Sequence, residues 1–136
     1  MENKRKLALR IENLSVFIVG IFLLIVPILV LGLTTDAFGI PKQAAAALVS
    51  LAGLVLLGAK GVLNGSVKLR RTPYDLPIVL FGVAAFLSAL FALNRFDAFI
   101  SFVSLLFIIV LFFVITNSAK RGQDVLFLTA SLIIGA

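Results

Sequence analysis

The chain has 136 residues, of which 62% are hydrophobic and 13% charged, with a mean hydropathy of +1.22. That exceeds the roughly 45–50% apolar content of soluble domains, and a water-soluble globule is excluded. Twelve Lys and Arg stand against six Asp and Glu, and the lack of Cys and His rules out disulfides, thiolate nucleophiles, imidazole bases and the usual zinc ligands.

Apolar runs facing lipid must satisfy their own backbone hydrogen bonds, which leaves helices or a closed barrel. The runs are continuous rather than alternating, so the expected fold is an all-α membrane protein. Its form is an antiparallel transmembrane helix bundle with four complete spans and the start of a fifth, in one domain covering residues 1–136.

Residues 1–13 carry Lys4, Arg5, Lys6 and Arg10 ahead of the first apolar run, as a cytoplasmic flank does. The run 14–33 makes about 30 Å of helix, the thickness of the hydrocarbon core and longer than a signal-peptide core. No A-x-A site follows, so it reads as a retained span, kinked at Pro27. With Ser15 and Gly20 as its small residues before Pro27, this helix is expected to face lipid. A turn at 34–40 leads to helix 2, residues 41–59, with Pro41 in its first turn. Ala46, Ser50 and Gly53 form a small-residue stripe on one face of it.

The segment 60–75, KGVLNGSVKLRRTPYD, is the longest polar break and holds Lys60, Lys68, Arg70 and Arg71. Gly58, Gly61 and Gly65 read as loop punctuation around it, with no phosphate-cradling motif. Helix 3, residues 76–93, carries Gly82, Ala85, Ala89 and Ala92 on one face, and is expected to pack on the stripe of helix 2. A tight turn at 94–97 leads to helix 4, residues 98–115, with Ser101 and Ser104 near its start. A polar turn at 116–124 precedes residues 125–136, about 18 Å of helix and too short to span. The expectation is an N-terminal fragment of a longer polytopic protein.

Ten of the twelve Lys and Arg fall on one side of this topology, and Lys42 and Arg95 on the other. The bias predicts a cytoplasmic N-terminus and accounts for the net charge without nucleic acid as a partner. Asp75, Asp97 and Asp124 each precede an apolar run and read as helix caps. Glu2 and Glu12 lie in the flank and Asp36 in the first outer turn, so no carboxylate marks an intramembrane ion path. Lys42 and Arg95 either snorkel to headgroups or contact a substrate phosphate; Arg95 suits the second role better because a guanidinium binds phosphate bidentately. The run 68–71 reads as a topology determinant or a lipid-headgroup site, and Tyr74 suits an interfacial position.

Two stretches go beyond composition. Asp36-Ala-Phe-Gly-Ile-Pro-Lys42 opens the second helix, and Arg71-Thr-Pro-Tyr-Asp-Leu-Pro77 opens the third, ahead of the turn Ala92-Leu-Asn-Arg-Phe-Asp-Ala-Phe99. Together they resemble the start of the bacterial O-antigen ligase and O-antigen polymerase-like family. The resemblance implies a metal-independent, multi-pass glycosyltransferase of the inner membrane, with membrane lipid and a polyprenyl-diphosphate-linked glycan as partners and no cofactor. It also implies that the catalytic residues lie beyond residue 136, so no catalytic residue is assigned here. Two other readings stand beside it: part of a polytopic transporter or lipid flippase, or a small structural membrane subunit.

Overall fold

The computed structural model describes residues 2–29, 39–65 and 69–135. The expected turn around Asp36, and Lys68, lie outside the described residues. The described chain is all helical: α1 (Glu2–Ile25), α2 (Gly39–Asn64), α3 (Asp75–Leu90), α4 (Arg95–Ser118) and α5 (Gly122–Gly135). Three are long and apolar enough to cross a membrane, over Lys6–Ile25, Gly39–Asn64 and Arg95–Ser118. With 16 and 14 residues, α3 and α5 are shorter, about 24 Å and 21 Å as helix.

All five expected helices are present, with shifted ends. The basic flank is itself helical, since α1 begins at Glu2; Glu, Lys, Arg, Leu and Ala are good helix formers, and the flank is rich in them. At the other end α1 stops before Pro27 rather than kinking at it. Val26 N–H still reaches the Phe22 carbonyl at 2.8 Å, but Ile28 and Leu29 bond three residues back, at 3.0 and 3.4 Å. Pro27 has no N–H for the Leu23 carbonyl, so the last turn tightens and the helix ends. Similarly α2 continues through Gly58 and Gly61, and only Gly65 punctuates the chain, with φ +67° just past the helix end.

The packing corrects two expectations. First, α1 does not simply face lipid: it packs against α2, α4 and α5, and Val19 is buried between them. Ser15 and Gly20 are contact points. Gly20 lies under the Phe127 ring of α5, and Ser15 meets Ser118 of α4. Second, α2 and α3 do not pack on each other; both pack on α4. Close approach occurs at Gly53 and Gly82, and the residue met there is a large side chain of α4. Gly53 faces the wholly buried Val114, and Gly82 faces Ile109. Bulky knobs fill the space that small residues leave, so a small stripe does not require another small stripe opposite.

The core lies where α1, α4 and α5 supply Val16, Val19, Leu111, Val114 and Leu128, with Ala119 just past α4, and Val49 and Leu57 of α2 pack against it; α3 is attached to α4. Phe86 of α3 meets Phe99 and Phe102 of α4, with ring centroids 6.3 and 5.2 Å apart. At the far end of α5, Gly135 comes so close to α1 that a Cβ there would lie 2.6 Å from the Leu24 carbonyl oxygen. Ser50, fully buried on α2, sits 2.7 Å from the Phe107 carbonyl of α4 and 2.6 Å from that of Ala46. Its proton serves one or the other, and no solvent is needed to satisfy it.

Candidate functional site

The three aspartates build turns rather than sites. Each lies in the first turn of a helix and reaches back three residues, the geometry of a capping box. Asp75 accepts from the Thr72 backbone N–H at 2.8 Å and from the Thr72 hydroxyl. Those two bonds, with the charge of Arg71, hold its carboxyl below the usual carboxylate range. Asp97 accepts from the Asn94 amide, and Asn94, the N-cap of α4, accepts from the Asp97 N–H at 3.5 Å. Asp124 accepts from the Arg121 N–H at 3.0 Å. Capping was the expected role, but the carboxylates act from inside the helix and not from the residue before it.

Lys42 and Arg95 occupy different places. Lys42 lies in the first turn of α2, beside an apolar groove of about 280 Å³ between α1 and α2, lined by Ile21, Phe22, Ile25, Val26, Ala45 and Val49 among others. Arg95 is the exposed first residue of α4. One turn on, Ala98 and Ser101 join Ala85, Ser88, Ala89 and Ala92 of α3 around a second open groove of about 280 Å³. The Gln43 side chain accepts from the Ser104 hydroxyl at 3.1 Å, which sets Lys42 level with a point nine residues into α4 past Arg95. Nine residues are about 14 Å of helix. The backbones of the two cations are thus offset along the bundle, one near each groove.

The sequence reading missed a polar cluster at the other end. Glu12 of α1 accepts an ion pair from Lys60 of α2, and both side chains are only 14% exposed. Beside them the Ser15 and Ser118 hydroxyls share a 2.7 Å hydrogen bond that ties α1 to α4. Asn117, 3% exposed, donates to the Phe113 carbonyl at 2.8 Å and accepts from the Arg70 backbone N–H at 2.7 Å, which fastens the segment after α2 to the end of α4. Lys120 follows directly. Its ammonium titrates below the ordinary lysine range because it is partly buried and because Lys60 lies beside it, an effect that Glu12 partly offsets.

By sequence alone Glu12 falls in the flank and Lys60 in the basic segment that sets topology. The available signal was polarity at the edges of apolar runs: Glu12, Asn13 and Ser15 at one edge, Thr116, Asn117 and Ser118 at another. Pairing them needed the register between helices, which one sequence does not carry. No protein-family model, curated protein or solved structure matches this chain.

Proposed function

We propose that this chain is the helical membrane scaffold of an O-antigen ligase-like glycosyltransferase, which transfers or polymerises a polyprenyl-diphosphate-linked glycan at the outer face of the inner membrane. In this reading α1 to α4 are four spans running alternately up and down. Contact pairs support the alternation: Glu12 with Lys60 and Phe22 beside Val49 for α1 and α2, Gly82 with Ile109 and Phe86 with Phe102 for α3 and α4. A bilayer thins or a short span draws in its flanks to fit 16 residues, at modest cost. The N-terminus is cytoplasmic. Arg70 and Lys60 are held at the same end as Glu12 and Lys120, and this grouping of cations supports that orientation.

The observation that carries the substrate side is Arg95. It is exposed, has no hydrogen-bond or ion-pair partner among the described residues, and stands one turn from the small-residue groove between α3 and α4. A guanidinium so placed is free to pair with a lipid-linked diphosphate while the groove takes apolar chain.

Two experiments test the reading. A reporter fused after Arg71 should read cytoplasmic and one after Arg95 external; the reverse pattern removes the orientation. In membranes supplied with limiting lipid-linked glycan, Arg95→Ala should lower transfer by about tenfold or more, the loss of one charged hydrogen bond. Transfer at the wild-type rate ends the phosphate role of Arg95.

A further inference from the structure

We propose that Lys60, Lys120 and Arg70, gathered around Glu12, form a binding site for the phosphodiester headgroup of an anionic phospholipid. The site rests on the membrane embedding argued above and is independent of glycan transfer. Each of the three cations belongs to a segment fixed by a polar contact between elements. Lys60 is bonded to Glu12 of α1. Arg70 has its backbone N–H on the buried Asn117 of α4, at 2.7 Å. Lys120 comes two residues after Ser118, whose hydroxyl is tied to Ser15 of α1 at 2.7 Å.

The cluster has three cations and one carboxylate. The other described acids nearby in the chain are occupied elsewhere, Asp75 on Thr72 and Asp124 on the Arg121 backbone. The affinity of Lys120 for its proton is lowered first by its partial burial and then by Lys60 and, more weakly, Arg70, with Glu12 opposing them. A phosphodiester supplies the missing negative charge, and its oxygens accept from ammonium and guanidinium donors alike. Free phosphate shares that chemistry but not the rest of the surface. Leu69 and Tyr74, 63% and 67% exposed, flank Arg70 and Arg71 with apolar and aromatic surface suited to the headgroup layer. The occupant is accordingly a lipid rather than a soluble anion, and in the orientation proposed it belongs to the cytoplasmic leaflet.

Detergent-purified full chain is titrated separately with phosphatidylglycerol, phosphatidylcholine and inorganic phosphate, with bound species read by native mass spectrometry and helicity by circular dichroism. Wild type should retain phosphatidylglycerol about tenfold more strongly than phosphatidylcholine. The double variant R70Q/K120Q should lose about tenfold or more of that affinity, whereas R71Q/R121Q, which removes equal charge nearby, should change it less than about twofold. Equal losses in the two variants would mean a diffuse basic surface and overturn the site. So would saturation by inorganic phosphate without preference for phosphatidylglycerol. A wild type that binds both lipids alike overturns it whether or not the variants fold. Binding in detergent does not depend on topology, so the reporter fusions and this titration fail independently.

Discussion

At the end of the bundle where Glu12 meets Lys60, helices are joined by side-chain hydrogen bonds; at the end where Pro27 and Arg95 lie, they are joined mostly by shape. The basic end has the Glu12–Lys60 ion pair, the Ser15–Ser118 bond and the Asn117 clamp on Arg70. The other end has two open grooves and exposed or half-exposed cations, with Gln43 to Ser104 as its described polar link. A polar-tied end and an open end fit the proposed scaffold, whose substrate would enter from one side only. The tied end fixes helix register, and the loose end leaves room for a ligand.

The ion pair offers the largest test of that contrast. Glu12→Leu strands Lys60 without its partner and should destabilise the protein by about 3 kcal/mol, while the double variant E12L/K60M, which removes both charges, should recover most of the loss. Unfolding in mixed micelles reads both. If E12L unfolds like wild type, the basic end is not held by this pair.

A second test concerns shape. In Gly53→Val the new side chain meets Val114, which is wholly buried and stiff, so the α2–α4 contact should lose about 1–3 kcal/mol by overpacking. Gly58 is a useful control on the same helix because a Cβ there meets nothing within 4 Å. Gly58→Ala should be neutral or stabilise α2 by up to about 1 kcal/mol. Equal effects at the two glycines would mean that α2 does not use the Gly53 face.

The smallest expected effect is pH-dependent and local. The Asp75 carboxyl is held below its ordinary value by Thr72, so its contribution is complete above the unfolded carboxylate range, near pH 4, and is lost as pH falls through the lowered value. Protection of the Thr72 amide from hydrogen exchange should accordingly fall in acid and persist at neutral pH. In Asp75→Asn that acid dependence should vanish. If it survives, another group titrates the turn.

Much of the local architecture was legible because its causes are local. Asp75, Asp97 and Asp124 stop and restart helices through bonds to residues three positions away, and Pro27 ends α1 through its own missing N–H. The small stripes of α2 and α3 could also be read, since residues spaced by three and four share a face wherever the helix goes. Their partner could not. Glu12 was missed for a related reason: a charged flank and the edge of a packed span have the same composition, and only Lys60 opposite distinguishes them.

The sequence by itself determined that this protein is helical and apolar, the order of its five helices, and which faces carry small residues. All of these follow from backbone hydrogen bonding and side-chain size within a few residues. The tertiary structure decided that α4 is the shared partner of α1, α2 and α3, that Lys42 and Arg95 stand near separate grooves, and that Glu12 is paired with Lys60. Those outcomes depend on helix register across 48 positions for Glu12 and Lys60 and 103 for Ser15 and Ser118. At such separations the whole bundle's packing selects the neighbour, because apolar helix faces are nearly interchangeable until their knobs and holes are matched together.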